Sequence, residues 1–329
     1  MGRAVIIGFG TIGRRLREKL LAMGWDIPFV IKSKEIFTGN ELFHLEGAVK
    51  SWIEYCRDVD VVFLAIPTLD DGSIALRYLL ELSDKGIPVV TCEKGALSNY
   101  FELLKPRLEG VRYTAACGGG SGMIPFLQER FFSGTRQVYV IPNGTMNYIF
   151  SGLAMGNPRG QIIEEVKKLR YAEPGESDSV EIIMAEVEDA AKKISLLFNL
   201  CFGSSVILRA KEITISLTEG MVEEAIGQAR MRRFVVSFLK EEDVRPTPNN
   251  IEAFRHSIDG WVIQGGFPTM DNQLIARLCA ATTWVNNGLL TVEGCEGTDG
   301  VYLCVGPGAG ASPTTAAMIR DAEKLLKKH

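Results

Sequence analysis

The sequence predicts an α/β protein: a Rossmann-type doubly wound parallel sheet followed by a second α+β domain. Three observations carry this. A glycine-rich turn joins the first strand pattern to the first helix pattern, strand and helix patterns alternate through the first third, and the patterning changes character after about residue 130. At 329 residues the chain exceeds one ordinary domain and suits two. The expected division is residues 1–130, completed by 306–329, against 131–305.

Taken in order, residues 4–7 read as a buried strand. Residues 11–23 repeat apolar side chains at helical spacing, with Ile12, Leu16, Leu20 and Leu21 on one face and Gly24 as the stop. Residues 28–31 and 60–66 are the next strands, followed by a helix at 73–85, a strand at 87–91, a helix at 100–108 and a strand at 113–116. Strands separated by helices imply parallel pairing. Further on, 137–141 is strand-like, 157–161 a loop, 179–198 a long helix, 218–231 a helix, 234–238 a strand and 245–250 a surface loop. Residues 306–310 introduce a last helix at 313–328.

Composition narrows the function. The net charge is −4 and no basic tract is present, so nucleic acid is not an expected partner. No apolar run nears the roughly 18 residues of a membrane span, so no membrane is expected either. Seven cysteines form no C-x-x-C pair and read as reduced thiols of a cytoplasmic protein. With three histidines, a His-based metal site or a Ser-His-Asp triad is poorly supplied. Lys, Asp and Glu are left to carry any proton chemistry. Main-chain carbonyls leave room for a monovalent cation.

Gly8-Phe9-Gly10-Thr11-Ile12-Gly13 sits between the first strand and the first helix. The first glycine permits the turn, the second lets backbone approach a pyrophosphate, and the third lets helix and strand pack closely. The pyrophosphate meets the unsatisfied N–H groups of the helix start. The next strand ends in Lys32, Ser33 and Lys34, whose cations and hydroxyl suit a 2′-phosphate. NADP is therefore the expected cofactor, with Glu35 keeping NAD possible. Ile66 and Lys94, at the carboxyl ends of later strands, complete the expected cofactor side, because ligands bind there in such sheets.

Several segments resemble the homoserine dehydrogenase family over nearly the whole length. Residues 89–94, VVTCEK, are similar to its V-V-T-A-N-K, and residues 113–120, YTAACGGG, to its Y-E-A-S-V-G-G-G. Residues 143–149, NGTMNYI, match N-G-T-T-N-Y-I, and 171–173, YAE, the start of G-Y-A-E-A-D-P. Asp189 to Lys193 resembles its D-x-x-x-K helix, and residues 306–310, GPGAG, its closing G-x-G-A-G. The resemblance implies reversible oxidation of L-homoserine to L-aspartate 4-semialdehyde with NAD(P). It implies a proton-transferring Lys193, Asp189 holding lysine and substrate, Lys94 between nicotinamide and substrate, and Glu173 on the substrate amine. It places Gly306 beside the cofactor, and makes the second domain a catalytic and dimerisation domain of a homodimer.

The residues themselves support part of this. Two lysines facing one cleft would lower each other's proton affinity, which suits one of them for acid–base work. On a helix, Asp189 and Lys193 lie one turn apart beside an apolar stripe, while Glu188 and Lys192 point away as a solvated pair. Backbone N–H groups of Asn143, Gly144 and Thr145 suit the carboxylate of a small amino-acid substrate. The sequence also departs from the pattern. Glu93 stands where the family has Asn, Val187 where it often has Gly, and the stretch after Glu173 leads into a helix about five residues longer than the pattern. Glu176 or Asp178 is thus an alternative to Glu173. Two other readings stay open: a relative acting on another small amino alcohol, amino aldehyde or amino acid, and a non-catalytic NADP-binding sensor.

Overall fold

The computed structural model describes residues 2–33, 35–39, 42–44, 51–68, 71–171, 178–245, 249–295 and 298–327. Lys34, Glu173 and Glu176 lie outside the described residues. The chain divides into two compact units, Met1–Gly120 with Ala311–His329, and Ser121–Gly310.

In the first unit, strand β1 (Arg3–Ile7) buries four consecutive apolar residues, as a central strand covered on both faces must. Helix α1 (Thr11–Ala22) turns Gly13, Leu16 and Leu20 inward. Strand β2 (Asp26–Lys32) pairs parallel with β1. The expected alternation breaks here. Ser33 adopts φ 54° and the chain doubles back into β3 (Glu35–Thr38), antiparallel to β2, then β4 (Phe43–His44). Strand β5 (Val61–Leu64) returns to the other side of β1. There follow α2 (Ser73–Asp84), β6 (Val89–Thr91), α3 (Gly95–Asn99), α4 (Phe101–Leu104) and β7 (Val111–Arg112). The sheet order is β4-β3-β2-β1-β5-β6-β7. Strand order therefore reverses at β1, whose carboxyl end opens the crevice where doubly wound sheets take ligands.

The strand expected at 113–116 is a correction. Thr114–Ala116 is a turn of 3-10 helix, and Thr114 donates its N–H and hydroxyl to Asp321 on the C-terminal helix, at 2.9 and 2.8 Å. That helix, Ala311–Leu326, completes the core of this unit. Its Ala317, Met318, Ala322 and Leu325 pack with Leu16, Leu20, Trp25 and Phe63.

The second unit begins with α5 (Met123–Arg130) and β8 (Thr135–Ile141). Four helices follow: α6 (Gly144–Ala154), α7 (Arg159–Lys168), α8 (Ser179–Cys201) and α9 (Glu219–Gly227). The loop expected at 157–161 is already the start of α7, entered through Pro158. Strands β9 (Val235–Lys240), β10 (Ile251–Ile258) and β11 (Trp261–Phe267), helix α10 (Gln273–Ala281) and the long ribbon of β12 (Asn286–Cys295) and β13 (Thr298–Pro307) complete it. This sheet runs β10-β11-β9-β8-β12-β13 with antiparallel pairing throughout. One face carries Tyr139, Ile141, Val235, Leu239 and Leu290 against Ile275, Leu278 and Cys279 of α10. The alternate residues face the other way, where Phe238 meets Phe202 just beyond α8, and Phe202 meets Phe198. No helix among the described residues is long and apolar enough to cross a membrane.

Candidate active site

In the first unit, the glycine turn has the shape its sequence promised. Gly8 holds φ +99°, and a Cβ on it would lie 2.4 Å from the Ala65 carbonyl oxygen and 2.9 Å from the Ile66 nitrogen. That contact sets Ile66 beside the loop. A Cβ on Gly13 would lie 2.0 Å from the Gly8 oxygen, whereas one on Gly10 would meet nothing within 4 Å. Two glycines are thus required by the packing, and the third faces open space. Helix α1 has no side-chain cap at Gly10, which leaves the first-turn N–H groups around Thr11 and Ile12 to a ligand. Where β2 ends, Lys32 forms a solvent-exposed ion pair with Glu35 at 3.9 Å, and Ser33 occupies the left-handed turn.

Two strands along from β1, β6 ends at Thr91, whose hydroxyl donates to the Leu64 oxygen at 3.1 Å and accepts from the Glu93 N–H at 3.0 Å. Glu93 is 1% exposed. Its carboxylate accepts from the backbone N–H of Gly95 at 2.6 Å and of Ala96 at 3.0 Å, at the start of α3. Glu93 is therefore bound to backbone amides, and half-buried Lys94 follows it at the N-cap of α3. Burial pushes the neighbouring Cys92 thiol up to about 11, so it offers no thiolate at neutral pH.

In the second unit, α8 and the start of α6 build a polar cluster. Lys193 Nζ lies 2.6 Å from Asp189 Oδ2 and donates to the Pro142 carbonyl at 3.2 Å. The lysine is only 9% exposed. Asn287 Nδ2 donates to the same carbonyl at 3.0 Å. Asn143 is the N-cap of α6: its Oδ1 accepts from the Met146 N–H at 2.8 Å. Its Nδ2 donates to the Glu186 carboxylate and, at 3.4 Å, to Asp189 Oδ2. Glu186, Asp189 and Lys193 stand at i, i+3 and i+7 on one face of α8, whereas Glu188 is exposed. The D-x-x-x-K pair is thus an inward pair held at both ends. Such a cluster can hold one ammonium rigidly and offer it, or take a proton back, at a hydroxyl or carbonyl oxygen.

Of the remaining expected residues, Gly144 is fixed by contact, because a Cβ there would lie 2.5 Å from the Val285 oxygen. Thr145 donates its hydroxyl to the Tyr171 oxygen at 2.9 Å, which anchors the chain where residues 172–177 begin. Gly306 packs its backbone on Ser121, and a Cβ on Gly308 would collide with Asn287 Oδ1 at 1.9 Å. Asp178 is not brought to the cluster. Its carboxylate caps α8 by accepting from Val180 and Glu181, and it stands about 16 Å along the helix from Asp189. Lys94 belongs to the first unit and Lys193 to the second. Sequence reasoning missed Glu186, the Asn143 side chain and Asn287. The helical step from Glu186 to Asp189 was the one available signal for the first. Among the described residues no group of three His, Cys, Asp or Glu gathers as a metal-ligand set.

Residues 128–260 match the family model described as homoserine dehydrogenase. A homoserine dehydrogenase of Sulfurisphaera tokodaii is 23% identical over 275 residues, covering 78% of this chain and 86% of that protein. The Neisseria gonorrhoeae homoserine dehydrogenase is 27% identical over 80% of this chain, which spans only 56% of its length. Among solved structures, the homoserine dehydrogenase of Thermoplasma acidophilum superposes with a TM-score of 0.71 at 16% identity, over 100% of this chain and 99% of that one. A hyperthermophilic archaeal homoserine dehydrogenase in complex with NADPH gives 0.65 at 18% identity, over 100% of this chain and 98% of that one.

Proposed function

We propose that the chain is a member of the homoserine dehydrogenase family, which its family-model match and its relatives support, and that it catalyses the reversible, NADP-dependent oxidation of L-homoserine to L-aspartate 4-semialdehyde. The observation that carries this reading is Lys193. A buried ammonium tied to the Asp189 carboxylate and to the Pro142 carbonyl has the fixed orientation a proton-transfer group needs. In the oxidative direction the lysine, as the neutral amine, removes the C4 hydroxyl proton as the C4 hydride departs, and so becomes the ammonium. In the reductive direction it returns that proton to the oxygen. When bound, the nicotinamide accepts or donates the hydride. Asp189 holds the lysine throughout. Lys94 is assigned between the nicotinamide and the substrate. The carboxylates of Glu173 and Glu186 are assigned to the substrate ammonium, and first-turn N–H groups of α6 at Gly144 and Thr145 to its carboxylate.

The glycine loop, with Thr11, Ile12 and Ile66, is assigned to the dinucleotide. The open face at Gly10 fits a pyrophosphate, and Lys32 and Ser33, with Lys34 by its residue type alone, are assigned to the 2′-phosphate that favours NADP over NAD. Gly306 is assigned to the same nucleotide, and the enzyme to a cytoplasmic homodimer. Absorbance at 340 nm with homoserine and NADP tests the activity. We expect turnover, and a loss of about 10²–10⁴ in kcat for Lys193→Ala. NADP binding without turnover of homoserine or any other small amino alcohol would overturn the assignment in favour of a sensor.

A further inference from the structure

We infer that the buried carboxylate of Glu93 biases the dinucleotide site toward the oxidised, cationic nicotinamide. This rests on the cofactor assignment above and goes beyond it. The strand order supplies the placement. The glycine loop follows β1, β2 lies on one side of it, and β5 and β6 lie on the other. A dinucleotide spanning the carboxyl ends from the β2 side carries its other nucleoside over β5 and β6. Glu93 stands two residues past the end of β6, on that rim.

Three properties make this carboxylate an electrostatic device as well as a cap. It is 1% exposed, so bulk water screens it little. Both oxygens are held by backbone N–H donors at 2.6 and 3.0 Å, so the group cannot swing away. Among the described residues its carboxylate is held by backbone amides, and the adjacent cation, Lys94, is common to the protein and its Glu93 variants, so the variants read the carboxylate's own charge. Oxidised and reduced nicotinamide differ by one positive charge on the ring and little else in shape. A fixed negative charge on the rim therefore favours one over the other by Coulomb attraction.

The experiment measures dissociation constants of NADP+ and NADPH, by fluorescence and calorimetry, for the whole protein and for Glu93→Gln and Glu93→Asn, each checked by thermal melting. The expected result is a shift of the NADP+/NADPH affinity ratio of about threefold to tenfold toward NADPH in both variants. A change of both affinities by the same factor, or none, means a purely structural cap and overturns the inference. The wild type gives a second reading that needs no folded variant. It should bind NADP+ no more weakly than NADPH, and a tenfold preference for NADPH overturns the inference. Absence of homoserine turnover with the ratio still shifted would remove the substrate assignment and leave this one standing. Failure of the wild type to bind any nicotinamide nucleotide would remove both.

Discussion

Asn143 concentrates three tasks in one side chain. Its oxygen caps α6, and its amide donates toward the carboxylates of Glu186 and Asp189, which would otherwise repel. Asn143→Ala removes the cap and the bridge together, and should lower stability by about 2–4 kcal/mol in urea titration. Asn143→Asp separates the two roles. It keeps the capping oxygen but sets a third carboxylate against two others, so at pH 7 it should be less stable than Asn143→Ala and should recover as pH falls. Wild-type stability for Asn143→Asp at pH 7 would dispose of the bridging role. This cluster shows what a sequence hides at this scale. Asp189 and Lys193 share a helical turn and resemble a known pattern, so they were legible. The Asn143 contact with Glu186 spans 43 residues and emerges only when α6 and α8 pack. Asp178 illustrates the converse, because an acidic residue one short step from a helix start satisfies the cap before anything else.

The elements of the first unit were legible where periodicity and chain direction agree. The run from residues 4 to 7, the stripe of Leu16 and Leu20, and residues 89–91 each admit one reading. The hairpin from β2 into β3 was not, because it turns on a left-handed Ser33 instead of a glycine. The tie between the Thr114 turn and the C-terminal helix was invisible for a different reason: it depends on one carboxylate from the far end of the chain. Burial raises the carboxyl of Asp321 above its ordinary value of 3.8, although Thr114 donates two hydrogen bonds to it. A raised native carboxyl keeps its proton where the unfolded chain has already lost it. Stability then falls as pH climbs from the unfolded value through the native one, and levels off above. Asp321→Asn has no such charge to bury and can preserve both contacts with Thr114 by turning its amide. We expect the variant to gain on the wild type between pH 4 and pH 7, measured as the difference in denaturant midpoints. A constant difference across that range would mean that Asp321 titrates alike in both states.

At the scale of the molecule, the first unit is discontinuous: it needs residues 311–329 to close what residues 1–120 begin. The alternating patterns announced the parallel sheet, and the closing glycines announced a last helix. The six-stranded antiparallel sheet was far less legible, since β10 to β13 alternate weakly and β12 reaches β8 across more than a hundred residues. The discontinuity has a consequence that truncation can measure. Ending the chain after Gly310 strips Met318, Ile319 and Leu325 from the core around Leu16, Leu20, Trp25 and Phe63. At about 1.5–3 kcal/mol for each large apolar side chain, the loss is roughly 5–9 kcal/mol. That is comparable with the whole stability of an ordinary domain, about 5–15 kcal/mol. Nucleotide binding should therefore vanish in the truncated chain, and limited proteolysis should cut freely within residues 1–120. Residues 121–310 keep every strand of their own sheet and should persist as a protected fragment. Protection of both segments, with nucleotide binding intact, would show that the glycine loop and its sheet stand without the helix that covers them.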